Sequence, residues 1–374
     1  MPKKPMKLDT SIHAEANRQM TICNACRYCE GLCAVFPAMT RRRTFSDGDL
    51  EYLANLCHSC GACYYACQYV PPHEFAVNVP QIFAQLRSES YYRSAWPRTF
   101  APLFQRNGLI IALAATVAIA LFIGGFVAMH DPDALFAVHT GPGAFYRLMP
   151  HETMVALFGG VFLFAVVAIV ISVRTFWRTS GGGTIGLSDL LIAGQATATL
   201  RYLDGQRGGC MNEDEQPTDR RRFYHHCTFY GFLLCFASTS LATVLHNLLG
   251  WHAPYAWYNP VVLLGVLGGS GLLIGPAGLL RAKQRRDPQV VSSDTRGMEV
   301  AFLAMLLLTS ASGLLLLVLR ATPAMGILLA LHLGIVFALF LTFPYGKFVH
   351  GFYRYAALIR FARESKLPVA GTAD

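Results

Sequence analysis

The stretch CNACRYCEGLC at residues 23–33 returns as CHSCGACYYAC at residues 57–67. Both copies read C-x2-C-x2-C-x3-C, and the second begins 34 residues after the first. Cys23, Cys26, Cys29 and Cys33 form one set, and Cys57, Cys60, Cys63 and Cys67 the other, out of 11 cysteines in all. Three thiolates on one tight loop reach three corners of an iron–sulfur cube, while the fourth, on the following helix, serves the other cube. The spacing therefore predicts two [4Fe–4S] clusters held crosswise. Cys23, Cys26, Cys29 and Cys67 would hold one, and Cys57, Cys60, Cys63 and Cys33 the other. Zinc favours two CxxC pairs over four cysteines in one run. A disulfide framework belongs to secreted domains, and the N-terminus MPKKPMKLDT lacks the apolar core of a signal peptide. The first domain is accordingly expected in the cytoplasm. The proline usual after the fourth cysteine comes later in both copies, as Pro37 and Pro71.

Beyond these cysteines the chain changes character. It is 53% hydrophobic and 14% charged, and six apolar stretches reach the roughly 20 residues that cross a bilayer. They run at about 108–129, 153–173, 229–249, 260–280, 300–319 and 324–345. The expected organisation is a cytoplasmic cluster domain at 1–107, a six-span membrane bundle at 108–350 and a cytoplasmic tail at 351–374. Of 31 Lys and Arg, only Arg147 and Arg320 fall in loops assigned outside. That asymmetry predicts an inner-membrane protein of a bacterium, with both termini in the cytoplasm. It also accounts for the net charge of +9 without nucleic acid. The basic runs Arg41–Arg42–Arg43, Arg220–Arg221–Arg222 and Arg281–Lys283–Arg285–Arg286 read as topology signals meeting lipid headgroups. Arg41, Arg42 and Arg43 are also the candidate docking face for an acidic partner. The loop at 174–225 is too polar to cross the bilayer and is expected to be a linker or docking surface. Its SGGGT has no GK[ST] after it and no strand before it, so it is not a phosphate loop.

Histidines within the spans carry the second signal, because an ionisable side chain in a bilayer is costly and marks function. His332 and His350 are 18 residues apart. On one continuous helix that is five turns, so both rings would share a face about 27 Å apart. His246 lies toward the outer end of the third span, with His225 and His226 at its inner edge. Because the third and sixth spans run antiparallel, depth pairs His246 with His332, and His225 or His226 with His350. Facing histidines across a bundle are how b-type haem iron is held. His225 lies about 60° off the face of His246 and His226 nearly opposite, which favours His225. His151, at the outer start of the second span, is a reserve ligand. His130, His139 and His252 read as solvated loop residues, and His13, His58 and His73 as surface or packing residues of the cluster domain.

The fourth span carries Gly265, Gly268, Gly269, Gly271, Gly275 and Gly278, which suit close helix packing; making room for haem is the sharper reading. Cys235 reads as a small apolar packing residue, and Cys210 and Cys227 carry no spacing signal. No nucleophile–base pair, dinucleotide fingerprint or carboxylate dyad appears, so substrate chemistry is expected in another subunit. One-electron carriers aligned from a cytoplasmic domain into a bilayer would join a soluble donor to a lipid-soluble acceptor.

The first domain is similar to bacterial ferredoxins in its cysteine runs. From Pro260 to Arg354 the order of a Gly-rich span, a basic loop, another span and LHLGIVFALFLTFPYGKFVH resembles the cytochrome b (gamma) subunit of nitrate reductases. There the string holding His332, Phe343–Pro344 and His350 is the haem-ligating helix. The whole chain, including RRRFYHHCTFYGFLLCF at the start of the third span, resembles the tricarballylate (citrate) utilisation protein B family. The resemblance implies a mainly α fold, a ferredoxin-like helical domain fused to a six-helix haem bundle. It implies two [4Fe–4S] clusters, one or two haem b, and quinone as acceptor. The implied donor is a soluble flavoprotein dehydrogenase acting on tricarballylate. Membrane heterodisulfide reductase subunits are also similar in joining clusters to haem, and a membrane redox sensor is the remaining alternative.

Overall fold

The computed structural model describes residues 10–203, 210–211 and 216–368. The cysteine-bearing part is built from α1 (Thr10–Cys26), α2 (Val35–Thr40), α3 (Asp47–Leu56), the single turn α4 (Ala62–Tyr65) and α5 (Val79–Ser94). Sequence signals set its helix starts. Ser46 accepts a hydrogen bond from the Asp49 amide at 3.2 Å while Asp49 reaches back, a capping box. Asn78 caps α5 by accepting from the Gln81 amide at 3.3 Å, with Pro80 in the first turn. Met20, Phe36, Met39, Leu53, Tyr52 and Phe83 fill the core between them.

Six helices are long and apolar enough to cross a membrane, which fits a multi-pass membrane protein. They are α6 (Asn107–Met129), then α8 (His151–Thr179) after the short α7 (Pro132–Leu135), and, after α9 (Leu187–Ala198), α10 (Arg220–Leu249), α11 (Pro260–Gln284), α12 (Ser293–Leu319) and α13 (Met325–Thr342). The α13 span continues to Tyr345 through a 3-10 turn. Several helices outrun the apolar stretch that announces them. α10 begins nine residues before 229, and at 30 residues it is about 45 Å long, more than a hydrocarbon core of ~30 Å. Its basic start therefore projects beyond the bilayer, beside the cysteine domain.

α10 and α11 pack through glycines. A Cβ on Gly271 would lie 2.9 Å from the Cys227 carbonyl oxygen, and one on Gly268 would lie 2.8 Å from the Cys235 sulfur. On Gly275 it would stand 2.3 Å from Thr228 Oγ1. The glycines of the fourth span thus serve helix-to-helix contact, mostly with α10, while Gly269 faces Leu314 of α12. The polar loop after α8 is not a bare linker. α9 lies within it, a two-residue ladder pairs β1 (Cys210–Met211) with β2 (Pro217–Thr218), and Ala193 and Ala196 join the core of the cysteine domain.

The sixth span does not reach His350 as one helix. Pro344, which has no N–H to donate, and Gly346 interrupt it, and the chain passes through 3-10 turns at Phe343–Tyr345 and Lys347–Val349. His350 is instead the first residue of α14 (His350–Glu364). The five-turn argument that put His332 and His350 on one helical face therefore fails. α14, expected as tail, turns back under the cysteine domain and buries Tyr353, Ala357 and Leu358.

An ionic clamp holds α14 there. Arg42 bonds Asp49 at 2.8 Å and Glu364 at 2.5 Å; Arg360 bonds the same two carboxylates at 2.8 and 2.7 Å. Both guanidiniums lie over the Tyr52 ring, at 5.0 and 4.2 Å. Burial alone would raise the Asp49 carboxyl, but its hydrogen bonds from Arg42, Ser46 and Arg360 override that and hold it at about 2. A carboxylate depressed on folding contributes stability above its unfolded value of about 4, and that contribution fades as pH falls toward 2. Acid titration of the unfolding midpoint should therefore show a loss between about pH 4 and pH 2 that is reduced in Asp49→Asn, and Asp49→Asn should already be less stable at pH 7.

Candidate metal and cofactor centre

The eight repeated cysteines gather into two groups that cross the repeats. The strongest electrostatic neighbours of Cys23 after burial are Cys67, Cys29 and Cys26, and those of Cys29 are Cys67 and Cys26. Cys33 instead faces Cys60 and Cys57, and Cys63 faces Cys60, Cys57 and Cys33. Each run's last cysteine thus lies with the first three of the other. Cys33, Cys57, Cys60 and Cys63 line one cavity, closed by Leu32, Val35, Phe36 and Val79. Burial, reinforced by the other thiols, pushes Cys23 up to about 12 and Cys29 to about 11. Burial likewise raises Cys60 to about 11, with Cys210 adding to it. Thiolates in such surroundings need an external cation, which is the donor chemistry of an iron–sulfur site. Among the described residues no three His, Cys, Asp or Glu could hold a metal ion between them. Gly61, at φ +87°, makes the sharp turn after Cys60 that starts α4.

A cavity of about 860 Å³ lies between this cysteine group and the bundle, within the ~300–1,000 Å³ of cofactor pockets. His58 and Ser59 line both cavities and so form the wall between them. His58, read from sequence as an ordinary packing residue, is buried, with Nδ1 3.0 Å from the Leu56 carbonyl. Also lining the large cavity, His225 and His350 face each other, with ring centres 6.1 Å apart and planes at 73°. Two imidazoles on opposite sides of one metal ion, each bonded at about 2 Å, have ring centres roughly 6 Å apart. His350 Nδ1 donates to the Lys347 carbonyl, which leaves Nε2 with its lone pair free, the usual device that orients a ligating histidine. His225 Nδ1 is buried without a partner. These residues fit a bis-histidine haem. His226 does not line this cavity; its ring lies 5.8 Å from Tyr230.

The outer histidines are arranged differently from the expected pair. His246 stacks on His151, with ring centres 3.7 Å apart and planes at 15°, and its Nδ1 is 3.1 Å from that of His252. Parallel rings that close leave no room for a macrocycle between them. His332 sits in α13 with Nδ1 2.9 Å from Ser312 Oγ, and Cε1 stands 2.9 Å from where a Cβ on Gly313 would be. Among the described residues no hydrogen bond or ring contact joins His246 to His332. The depth argument aligned them, but the lateral positions of α10 and α13 separate them. His252, an exposed loop residue as expected, joins this outer cluster.

Three basic groups also lie elsewhere than the sequence suggested. Arg42 is engaged in the clamp and is not free for docking, and Arg41 donates to the carbonyls of Leu367 and Pro368; Arg43 is exposed. Arg221 and Arg286 turn inward to the His58–Ser59 wall rather than to lipid. Lys283 and Lys347 flank Glu299 on the cavity wall, Lys347 at 2.7 Å. Burial lowers Lys347 to about 8 despite Glu299. The residues that sequence reading missed, His58, Arg87, Glu299 and Arg354, carry no motif of their own. The buried Cys210, beside Cys60, was passed over for the same reason.

The geometry defines a class: a helical membrane protein with a cysteine domain of the Fer4 type docked on its bundle. Comparison with known proteins narrows it. The family model for citrate utilization protein B matches residues 102–371, and the model for that family's Fer4-like domain matches residues 16–93. The chain is 47% identical over 361 residues to citrate utilization protein B of Escherichia coli, covering 96% of this chain and 94% of that protein. It belongs to the citrate utilization protein B family. No solved structure matches it.

Glu299 is the acidic member of the cavity's Lys283–Glu299–Lys347 cluster, so Glu299→Ala would leave two ammonium groups facing each other. Removing one partner of a largely buried pair is strongly destabilising. Thermal unfolding in detergent should record a loss of about 3 kcal/mol, whereas Glu15→Ala, which breaks the exposed pair with Arg18, should cost under about 1 kcal/mol.

Proposed function

We propose that this chain is the membrane electron-transfer partner of a soluble flavoprotein dehydrogenase, serving citrate or tricarballylate utilisation by passing electrons to quinone. The observation that carries the reading is the succession of residue sets from the cysteine domain to the bundle. The Cys23–Cys26–Cys29–Cys67 group comes first, then the Cys33–Cys57–Cys60–Cys63 group, then the His58–Ser59 wall, and then the His225–His350 pair at the mouth of the bundle. Two [4Fe–4S] clusters and one b-type haem would supply the one-electron chemistry there. The chain's own residues exclude water around the second group with Leu32, Val35 and Phe36, and orient the His350 ring through the Lys347 carbonyl. The first group includes the exposed Cys26, which suits it to meet a soluble donor. The positive-inside pattern supports a cytoplasmic cysteine domain, with quinone held against the bundle. One haem position is proposed, because the stacked His151–His246 pair does not fit a second.

Iron and sulfide analysis of anaerobically purified protein should approach eight irons per chain for the clusters; zinc without labile sulfide would sink the cluster reading. His225→Ala and His350→Ala should each abolish a low-spin b-type spectrum that His226→Ala and His332→Ala retain, with haem content as the measure.

The functional assay combines membranes, the flavoprotein, tricarballylate and a quinone analogue, with and without this chain. Substrate-dependent quinone reduction should require the chain and be lost in His350→Ala. Equal reduction by the flavoprotein alone would overturn the relay.

A further inference from the structure

The backbone of Cys57, His58 and Ser59 is held by four arginines from four separate elements. Arg87 of α5, which is buried, donates to the carbonyls of Ala54 and Cys57 and to Ser59 Oγ at 2.7 Å. Arg221 of α10 donates to the carbonyls of Ser59 at 2.9 Å and His58 at 3.2 Å. Arg286, after α11, donates to the Ser59 carbonyl. Arg354 of α14 donates to the carbonyls of Cys57 at 2.7 Å and Asn55 at 3.3 Å. Among the described residues none of the four forms an ion pair with a carboxylate. Glu299, the acid on the same cavity wall, is occupied by Lys283 and Lys347. Among the described residues, four guanidiniums that form no such pair thus converge on the loop that carries two cysteines of the second group.

We propose that Arg87, Arg221, Arg286 and Arg354 make the Cys33–Cys57–Cys60–Cys63 site the more readily reduced of the two cysteine sites, so that an electron entering the domain settles on the side nearer the bundle. The inference rests on the cluster reading above. Reduction adds one electron and no proton, and the extra negative charge is stabilised wherever fixed cations are close and poorly screened. The other site lacks four such groups: Arg27, which donates to the Asn24 carbonyl at 3.0 Å, is exposed and screened by water, and Cys26 is exposed as well. Backbone hydrogen bonds to sulfur favour the same site. The Cys33–Cys57–Cys60–Cys63 site receives Ser59 N–H at Cys57 Sγ at 3.3 Å, with the amides of Val35 and Phe36 at Cys33 and of Ala62 at Cys60, against Tyr69 N–H to Cys67 Sγ at 3.4 Å at the other. The arginines and these amides thus act in the same direction, and only the arginine contribution depends on side-chain charge.

The test is a redox titration followed by electron paramagnetic resonance on the full chain in detergent, with dithionite as the source of electrons. Two one-electron waves are expected, and Cys67→Ser should remove the lower one. Arg286→Gln should shift only the upper wave, making the reduced-to-oxidised ratio at a fixed potential at least tenfold smaller, a shift of about 59 mV. Arg286→Lys, which keeps the charge, should restore most of that shift, whereas a merely structural role would not distinguish Lys from Gln. Should Arg286→Gln lose iron, Arg221→Gln provides the same measurement. Loss of the upper wave in Cys67→Ser, coincident waves in the unmodified protein, or no shift in an iron-replete Gln variant would overturn the inference while leaving the clusters in place. Absence of iron and labile sulfide from the unmodified protein would instead overturn the cluster reading on which it rests.

Discussion

The structure turns on the carbonyl oxygens of Cys57, His58 and Ser59. A loop carrying closely spaced cysteines cannot satisfy its own backbone acceptors, since its turns direct them outward, and a buried acceptor left unpaired costs about 1–3 kcal/mol. Here guanidiniums from α5, α10, the segment after α11, and α14 take them. Those donors belong to both halves of the molecule. The same bonds that satisfy the loop therefore dock the cysteine domain on the bundle and bring the second cysteine group up to the large cavity.

Two further constraints shape that cavity. Glycine contacts draw α10 and α11 together along their length, which fixes the direction in which the basic start of α10 projects. The interruption at Pro344 and Gly346 then frees the chain to turn, so that His350 begins a new helix opposite His225. Had α13 continued, its next residues would have run on along the bundle axis. The clamp of Arg42, Arg360, Asp49 and Glu364 secures the far end of α14, so the histidine is held from both ends of its helix.

A relay reading asks for short, dry separations between carriers and for a donor-facing end. The exposed Cys26, the enclosed second group and the His58–Ser59 wall it shares with the histidine-lined cavity are the features that bear on it. The outer histidines His151, His246 and His252, with Tyr146 beside them, form a separate polar cluster at the other end of the bundle. Their stacking suits hydrogen bonding and packing rather than axial ligation.

The sequence alone determined the cysteine sets and the six spans, because each depends on spacing along the chain: a loop's reach, a bilayer's thickness. It also assigned His225 and His226 different angular phases, since a 30-residue uninterrupted helix preserves them. Only the tertiary structure decided the partners. The pairing of His246 with His332 failed because depth in a bilayer says nothing of lateral position, and His332 and His350 lost their common face where a proline ended the helix. The basic runs carry the same charge whether they meet lipid, a partner or their own chain. Their assignment waited on the carbonyls of Cys57 to Ser59, contacts separated by 30 to 297 residues in sequence, which no local pattern encodes.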